Sequence, residues 1–579
     1  MTLIHSAEFE STLDRLVASC TATRATHLEA WTFDDVETRR RAEAQLAALG
    51  ITARIRSSYK PLLHFFLEEV ATDDLAAVHI VYPRHPGCAD NRFLLEAYPL
   101  GAILGEAALS FEPGETDQLA YSVTLIDRTG DTSTHTVLAP NRVHTDFVGE
   151  RLLSPTGWLV IDGPEAGARL ETDYEQLFET AMAVVAGYDW PAREPYFEEL
   201  NLAVTLPYKD CLLPFAVESI SLAEALHEDL YFSLLEVFQK RSGRPLGDRG
   251  LQPGQIVPEI SFGAGPARLH IATRSLATTD RPAATQPLAT AEAPLAAAQV
   301  SAELARIDGI AFTAPTRSGR TVEARYHVGT DKPVMISGGQ HANETTGIVG
   351  ALRAAQTLLR RPGAHFSVSP LENPDGYQIH WRLRANNPAH MHHAARYTAL
   401  GDDLEYRTEQ PLYEKGIRVQ AEQLSGAKLH LNLHGYPAHE WTRPLSGYVP
   451  RNFAMWTLPK GFFLVVRHHP NWGQAAEKLT ADVTEKLATI PGLLEANCQQ
   501  IALFETHAGS AGFRLVNGFP CLISSDERHG VPLTLITEYP DETIYGPAFI
   551  DGHTAQTAFV LAAYEAYQKL NPALLGDVA

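Results

Sequence analysis

The period of the apolar residues changes twice within residues 27–58, which predicts a strand, a helix and a second strand. The three segments are HLEAWTF, DDVETRRRAEAQLAALG and ITARIRSS. Asp34 or Asp35 could cap the helix at its start, and Gly50 stands where a helix C-cap is expected.

The rest of the first 270 residues predicts further strands and helices and contains no catalytic motif. YSVTLIDRTGDTSTHTVLAP has the pattern of a hairpin that turns at Thr129, Gly130 and Asp131. SISLAEALHEDLYFSLLEVFQKRSG has apolar residues at helical spacing and ends in Gly243. We therefore predict an α+β N-terminal region of unassigned role, formed by one or two subdomains.

The composition changes between Ala277 and Ala298, where LATTDRPAATQPLATAEAPLAAA is rich in Ala, Thr and Pro. Such a segment is typical of a linker, although its Ala-rich end also fits the start of a helix. We predict an N-terminal region over residues 1–280, a linker over residues 281–300 and a catalytic domain over residues 301–579.

After the linker, strand and helix patterns alternate, which predicts an α/β domain. DKPVMISGG, HFSVSPL, KLHLNLHG and PLTLITE are typical of strands, and ETTGIVGALRAAQTLLRR and AQTAFVLAAYEAYQKL are typical of helices. The order predicts a mainly parallel mixed sheet with helices on both faces. Functional sites of such sheets lie at the carboxyl ends of the strands.

Length, charge and cysteine content narrow the classes of function. A chain of 579 residues exceeds a single hydrophobic core, so two or three domains are expected. The net charge of −22 argues against nucleic acid and anionic membranes as partners, and no apolar stretch has transmembrane length. The start of the chain lacks a secretory signal pattern, and the five cysteines include no Cys-x-x-Cys pair. We expect a cytoplasmic protein and leave its oligomeric state open.

A pair of potential metal ligands, His341 and Glu344, follows the apolar segment PVMIS and opens a helix. A neutral imidazole and a carboxylate three residues apart on such a turn can bind one Zn²⁺ ion. The motif alone is weak, because His5 and Glu8 have the same spacing in a region without catalytic signals. Glu344 could also complement the positive end of the helix dipole without any metal.

His434 provides a third potential ligand, because it ends the predicted strand LHLNLHG, where a parallel sheet forms its site. His430 shares the same strand face and is a rival, but it lies deeper in the strand. Other histidines are assigned to loops and carry no predicted role. These are His390, His392, His393, His468 and His469.

Glu538 is the candidate general base, because the strand TLITE presents its carboxylate at another carboxyl end. Zinc lowers the pKa of bound water to about 7, and a neighbouring carboxylate can accept that proton. The alternative is a solvated glutamate at the end of a strand. Together, His341, Glu344, His434 and Glu538 favour a metal-dependent hydrolase over chance.

With these motifs the sequence resembles the zinc metallocarboxypeptidases, the carboxypeptidase A-like family, over about residues 305–570. GGQHANE is similar to the metal motif of that family, and NPDGY is similar to the segment after its next strand. His434 fits the third ligand, and Glu538, with Tyr545 and Gly546 after it, fits the catalytic glutamate. The resemblance implies a zinc carboxypeptidase-like fold, one Zn²⁺ ion and peptide hydrolysis, and it does not cover the first 280 residues.

The resemblance also implies an arginine, shortly after NPDG, that stabilises the oxyanion. Arg382, nine residues after the Asn of that segment, takes this role. Arg384 is the alternative and a candidate for substrate binding.

The segment that anchors the substrate's terminal carboxylate departs from the family pattern. Asp403 fits the Asp that supports a ligand histidine, but Glu405 and Tyr406 occupy the anchoring Asn and Arg positions. A carboxylate at Glu405 would repel a free C-terminus. Arg407, one place late, and Tyr448, a distant candidate for the family's mobile-loop tyrosine, are the remaining candidates for substrate binding.

We predict a zinc-dependent hydrolase of a peptide or amide bond, of metallocarboxypeptidase type with altered substrate anchoring. One alternative is a deacylase of N-acyl amino acids, similar to aspartoacylase and succinylglutamate desuccinylase, which also use His-x-x-Glu and a later His. Another alternative is a non-catalytic module that binds a peptide, which the retained Glu538 argues against. The predicted partner is a peptide or acyl amino acid, and no nucleic acid or membrane.

Overall fold

The computed structural model describes most of the chain. The described residues are 1–21, 25–115, 118–162, 167–277, 283–451, 453–510, 512–528 and 530–574. They form helices and several mixed sheets, which confirms the α/β class. No helix among them combines the length and the apolar character needed to cross a membrane.

The first half of the chain combines small sheets with helices. Its strands are β1 (Thr2–Phe9), β2 (His27–Thr32), β3 (Thr52–Ser57), β4 (Leu75–Tyr82), β5 (Ala108–Pro113), β6 (Ala120–Asp127), β7 (Thr132–Leu138), β8 (Asn141–Thr145), β9 (Arg151–Pro155), β10 (Gly157–Ile161), β11 (Ala168–Leu170), β12 (Glu199–Leu206), β13 (Cys211–Leu212), β14 (Ser219–Ile220), β15 (Gln255–Phe262) and β16 (Ala267–Arg274). Its helices are α1 (Thr12–Thr21), α2 (Val36–Ala48), α3 (Pro61–Glu68), α4 (Arg92–Glu96), α5 (Leu100–Ile103), α6 (Asp173–Gly187) and α7 (Leu222–Ser242). The four-stranded sheets have the orders β1-β16-β12-β15, β11-β10-β2-β3 and β5-β4-β6-β7.

The strand, helix and strand predicted near the start of the chain are present in the structure. Residues 27–58 form β2, α2 and β3, and the two strands pair in parallel. Asp35 caps α2, because its side chain accepts a hydrogen bond of 2.9 Å from the backbone N of Thr38. Asp34 lies one residue before the cap position and is buried.

The predicted hairpin and the long helix of the first half are present in the structure. β6 and β7 pair in antiparallel fashion on either side of residues 128–131. The Ser221 side chain accepts a hydrogen bond from the backbone N of Glu224 at the start of α7, and Gly243 ends the helix with φ 76°. Most residues of α7 are buried, which makes it the central helix of this half.

The second half contains one large sheet. Its strands are β17 (Ile310–Pro315), β18 (Thr321–His327), β19 (Val334–Gly338), β20 (Phe366–Ser369), β21 (Leu429–Pro437), β22 (Phe463–His468), β23 (Arg514–Val516), β24 (Phe519–Ser525) and β25 (Leu533–Glu542). Its helices are α8 (Ala297–Ala305), α9 (Thr346–Leu358), α10 (Pro374–Leu383), α11 (Gly416–Ser425), α12 (Gly473–Leu487), α13 (Leu493–Ala508) and α14 (Pro547–Lys569). The order of the nine-stranded sheet is β17-β18-β20-β19-β21-β25-β22-β24-β23.

This sheet is mixed, and it is parallel chiefly at its centre. β20, β19, β21 and β25 are neighbours that run parallel to one another. β17–β18 and β23–β24 are antiparallel hairpins joined by short turns. β18–β20 and β22–β25 are also antiparallel, whereas β22 and β24 are parallel. The expectation of a mainly parallel sheet therefore holds for the four central strands, whose carboxyl ends meet at one edge.

Helices cover both faces of the sheet, as two successive residues of β19 show. Ile336 belongs to a buried cluster with Val349 of α9 and Phe559 of α14. Met335 belongs to a separate cluster with Ile417 of α11. Because alternate residues of a strand point to opposite faces, α9 and α14 lie on one face and α11 lies on the other.

Residues 283–300 of the predicted linker pack against the second half. Ala291 is fully buried, and the Tyr377 hydroxyl donates a hydrogen bond of 2.6 Å to the carbonyl of Leu295. Residues 281–282 lie outside the described residues. The division of the chain into three parts stays a prediction.

The two halves share a hydrophobic core and a set of ion pairs. Phe232 of α7 belongs to the same buried cluster as Met391, Tyr397, Trp441 and Phe453 of the second half. The ion pairs that cross between the halves include Lys60–Glu440, Glu199–Arg382, Glu224–His439 and Glu236–Arg443, and a hydrogen bond joins His393 to Glu228. Segments of the second half are therefore enclosed by the first half.

We expect residues 300–579, expressed alone, to be insoluble or to lack a cooperative fold. Removal of the first half exposes Trp441 and Phe453 and leaves the buried Arg443 without Glu236. Circular dichroism and thermal unfolding, compared with the full-length chain, measure this. A soluble monomer with a cooperative transition would contradict the expectation.

Candidate metal centre

Three side chains that can bind a metal converge on one point in the second half. His341 and Glu344 lie in the turn between β19 and α9, and His434 lies in the adjacent strand β21. Nδ1 of His341 is 2.8 Å from Oε1 of Glu344, and Nδ1 of His434 is 2.8 Å from Oε2 of the same carboxylate. The three potential ligand atoms lie within 4.8 Å of one another, and all three residues are buried.

The turn after β19 depends on a glycine. Gly339 has φ 62°, a left-handed conformation that residues with a side chain rarely adopt. A Cβ atom at this position would lie 2.9 Å from Cδ1 of Leu371. The chain therefore turns sharply at the end of the strand, and His341 and Glu344 follow directly after it.

Both imidazole rings present Nδ1 to the centre of the cluster. Nε2 of His341 lies 3.4 Å from Oδ2 of Asp403, and Nε2 of His434 lies 3.2 Å from Oε1 of Gln340. These oxygens are acceptors, so Nε2 carries the proton and the Nδ1 lone pairs point inward. The two Nδ1 atoms are only 3.0 Å apart, and their lone pairs repel unless a cation lies beside both. Two imidazole nitrogens and one carboxylate fit a single metal ion of the zinc type.

Gln340 connects the supports of the two histidines, and the sequence reasoning missed it. Its Oε1 accepts hydrogen bonds from His434 and from Asn432 Nδ2 at 3.1 Å, and its Nε2 donates to Oδ1 of Asp403 at 3.0 Å. The position next to His341 was a signal that could have pointed to it. Its inward orientation is visible only in the tertiary structure.

Glu344 is a buried carboxylate that remains charged. Burial would raise its pKa, but the neighbouring His341, His434 and Arg396 hold the pKa well below its usual value. NH1 of Arg396 donates to Oε1 at 2.7 Å, and the backbone N of Gly435 donates to Oε2 at 3.1 Å. Each carboxylate oxygen therefore has one protein donor that is not a histidine.

Glu538 lies beside the cluster through strand register. In the parallel pair of β21 and β25, His434 and Glu538 are direct partners, and partners in register point to the same face. Burial, and then the negative charge of Glu344, raise the pKa of Glu538 well above its usual value. No hydrogen bond joins its carboxylate to the rest of the described chain.

The structure brings Arg396 to the cluster and places Arg382 and Arg384 elsewhere. Arg382, in the last turn of α10, pairs with Glu199 of the first half at 2.9 Å. The guanidinium of Arg384 lies over the Trp381 ring at 4.6 Å and over Tyr545 at 5.3 Å. The reason is that α10 points toward the first half, whose position the sequence did not reveal.

Two candidates for substrate binding are engaged in structural contacts. Arg407 is buried and forms ion pairs of 2.6 Å with Asp402 and with Glu414. Tyr448 is buried in the shared core, where its hydroxyl donates to Glu440 at 3.3 Å and its ring lies under Arg92. Neither side chain is available to a substrate in this arrangement.

The rival histidines lie apart from the cluster. Nε2 of His430 hydrogen-bonds to Oγ of Ser337 at 2.7 Å, deeper in the sheet. His5 and Glu8 are both in β1, where residues three apart point to opposite faces. The second match to His-x-x-Glu therefore cannot chelate one ion.

No family model matches this chain, and no curated protein matches it. Solved structures are similar to part of it. A metallo-carboxypeptidase from Burkholderia cenocepacia shares 15% identity with a TM-score of 0.30, covering 53% of this chain and 77% of that chain. A metallo-carboxypeptidase from Pseudomonas aeruginosa, in complex with (2-guanidinoethylmercapto)succinic acid, shares 16% identity with a TM-score of 0.29, covering 52% and 71%.

These solved structures are of the class that the motifs resemble. At such identities and TM-scores the likeness by itself assigns no activity to this chain. The function is therefore argued from the residues of the cluster.

We expect His341→Ala or His434→Ala to abolish tight zinc binding, because each removes one of the three ligands found among the described residues. Metal analysis after dialysis measures the zinc retained per chain. His5→Ala is the matched control, since it alters the other His-x-x-Glu sequence and should keep the metal. A folded His341→Ala protein with a full equivalent of zinc would contradict the assignment.

Proposed function

We propose that this protein is a zinc-dependent hydrolase of a peptide or amide bond, of metallocarboxypeptidase type. His341, Glu344 and His434 would hold one Zn²⁺ ion. The observation that carries the proposal is the convergence of these three side chains, with Glu538 in register beside His434. The carboxylate of Glu538 has no hydrogen-bond partner among the described residues, and a role as general base gives a reason for its position that metal binding alone does not.

Each residue of the cluster has its own role in the proposed reaction. Zinc bound there would supply a Lewis acid that polarises the scissile carbonyl and favours deprotonation of water. Glu538 accepts the proton from the attacking water and returns it to the leaving amine. Asp403 and Gln340 hold the rings of His341 and His434 so that Nδ1 of each faces the ion.

Arg396, in place of Arg382, is proposed to stabilise the negative charge that develops on the carbonyl oxygen. Its NH1 is bound to Glu344 at 2.7 Å, which fixes the guanidinium beside the ligands. Its buried Nε has no hydrogen-bond partner among the described residues. A guanidinium with a free donor in a water-poor site suits a developing oxyanion.

The altered substrate anchor does not leave a free negative charge in the site. The carboxylate of Glu405 is paired with Arg418 at 2.9 Å and with Arg467 at 2.7 Å. This charge compensation removes the repulsion that the sequence alone suggested between Glu405 and an anionic substrate.

A substrate panel on the zinc-loaded protein tests the proposed reaction. Cleavage of N-blocked dipeptides supports a metallocarboxypeptidase-type hydrolase. Cleavage of N-acyl amino acids alone would assign the protein to the deacylases. Zinc binding without cleavage of either class would contradict a hydrolase and favour a peptide-binding module.

We expect Glu538→Gln to lower kcat by about 10²- to 10⁴-fold while zinc content stays unchanged, because the amide cannot accept the proton. Steady-state kinetics and metal analysis on the same preparation measure both quantities. Glu8→Gln, the glutamate of the other His-x-x-Glu sequence, is the control. Full activity of Glu538→Gln would exclude this residue as the base.

We expect Arg396→Gln to lower kcat/KM by about 10²-fold with zinc retained, because one donor to the developing charge is lost. Arg382→Gln should lower the melting temperature instead, since it removes the closer ion-pair partner of the buried Glu199 and leaves only Arg274, at 3.9 Å. Kinetics and thermal unfolding of both variants separate the two roles. A loss of kcat/KM in Arg382→Gln, with unchanged kinetics in Arg396→Gln, would assign the oxyanion role to Arg382.

A further inference from the structure

A cleft of about 840 Å³ lies in the first half of the chain, and none of the residues assigned to the metal centre lines it. Its walls are the end of β1, the starts of α1 and α2, residues 207–209 after β12, and the turn 262–266 between β15 and β16. Pockets that bind ligands in proteins have volumes of about 300–1,000 Å³. The cleft is therefore large enough for a ligand, and the proposed reaction makes no use of it.

Carboxylates predominate on the walls of this cleft. The six carboxylates are those of Glu8, Glu10, Asp14, Asp34, Asp35 and Glu37, and the two cationic side chains are Arg41 and Lys209. Asp14 and Glu37 lie in the first turns of α1 and α2, and Asp35 caps α2, where helix dipoles favour negative charge. Glu8, Glu10 and Asp34 lie outside the helices, so the dipoles do not account for them.

Asp34 has an acceptor atom that the protein leaves unused. The side chain lines the cleft although only 5% of the residue is exposed, and its Oδ2 has no hydrogen-bond partner among the described residues. Burial, and then the negative charge of Asp173, raise the pKa of Asp34 to about 7. Asp173 itself accepts hydrogen bonds of 2.6 Å from the hydroxyls of Thr12 and Tyr208. Unpaired buried acceptors are rare in native proteins, and a donor brought by a ligand would give Oδ2 the partner it lacks.

The carboxylates of the cleft are spread out, unlike the side chains of the metal centre. His341, Glu344 and His434 have potential ligand atoms within 4.8 Å of one another, and no other group of three or more histidine, cysteine or acidic side chains meets that condition within the described residues. A ligand with several separate positive charges therefore fits the cleft better than one chelated metal ion. Lys209 is an example of such a charge, because its Nζ donates to Oε2 of Glu37 at 2.7 Å.

Apolar side chains lie among the carboxylates. Phe262 is 45% exposed, and Leu13, Pro207 and Pro266 also line the cleft. The aliphatic stems of lysine and arginine pack on apolar surface, and their charged ends interact with aromatic faces. The volume of the cleft also exceeds that of a linear polyamine, which leaves room for a peptide backbone between the walls. Mixed carboxylate and apolar walls thus match basic side chains that a peptide carries.

We propose that this cleft binds a basic peptide segment, in which a lysine or arginine side chain donates to Oδ2 of Asp34. Glu8 and Glu10 are exposed and have no ion-pair partner among the described residues, so they are available to further basic side chains of the same segment. Charge complementarity selects this occupant, since the carboxylates of the cleft exceed its cations by four. The site is separate from the metal centre, and it does not depend on whether the protein is a hydrolase.

The test measures binding to the full-length protein by fluorescence anisotropy. The probe is a short fluorescein-labelled peptide amide in which arginine alternates with alanine, and the comparison peptide has uncharged citrulline in place of each arginine. The variants are Asp34→Asn and the double variant Glu8→Gln/Glu10→Gln. Glu106→Gln/Glu150→Gln is the matched control, because both glutamates are exposed, lie outside the cleft and change the net charge by the same amount.

We expect the wild type to bind the arginine peptide with a Kd that rises with salt concentration, and to bind the citrulline peptide at least about 10-fold more weakly. Asp34→Asn should raise the Kd about 10- to 100-fold, because it removes a buried negative charge while it keeps the shape of the side chain. Glu8→Gln/Glu10→Gln should raise the Kd about 2- to 10-fold, since exposed ion pairs contribute less. The control should bind as the wild type does.

Equal Kd values for the wild type, Asp34→Asn and Glu8→Gln/Glu10→Gln would overturn the inference, as would equal binding of the arginine and citrulline peptides. Tighter binding of spermine than of the arginine peptide would assign the cleft to polyamines and overturn the peptide occupant. Melting temperatures are measured for all variants. If Asp34→Asn does not fold, Glu8→Gln/Glu10→Gln decides, because both of its side chains are exposed.

Discussion

The buried negative charge of Glu344 is the constraint on which the rest of the site depends. A carboxylate removed from water is stable only if positive charge and hydrogen-bond donors surround it. The protein provides the guanidinium of Arg396 and the backbone N of Gly435, one for each carboxylate oxygen. A metal ion at the same point would complete the compensation, because its charge also separates the facing Nδ1 lone pairs of His341 and His434.

The parallel centre of the large sheet makes this arrangement possible. β19 ends at the glycine turn that carries two of the ligands, β21 carries the third, and β25 carries Glu538 in register. Each side chain reaches the same edge because parallel neighbours end there together. The hairpins at the edges of the sheet reverse the strand direction without disturbing that centre.

The first half of the chain is part of the same structure as the metal centre. It encloses segments of the second half in one core, takes Arg382 into an ion pair with Glu199, and contacts Asp403 through the carbonyl of Arg249. The first half therefore affects the site through positions that the resemblance does not cover.

The sequence determined those features that local patterns encode. Alternating strands and helices gave the α/β class, and His341 with Glu344 on a turn and His434 and Glu538 on strand ends could be identified in order. They could be identified because a strand end and a helix start fix the direction of nearby side chains. Local signals left Asp34 and Asp35 equivalent as caps, and the observed start of α2 at Val36 decided between them.

Only the tertiary structure decided which distant residues meet. Arg396 and Gln340 reach the centre through a loop path and side-chain orientations that no periodicity encodes. The contacts of Arg382, Arg407 and Tyr448 were also decided by the tertiary structure. Arg382 pairs with Glu199 of the first half, Arg407 pairs with Asp402 in its own loop, and the Tyr448 hydroxyl donates to Glu440. Local sequence fixes the ligands that a strand presents, whereas long-range packing fixes the charges around them.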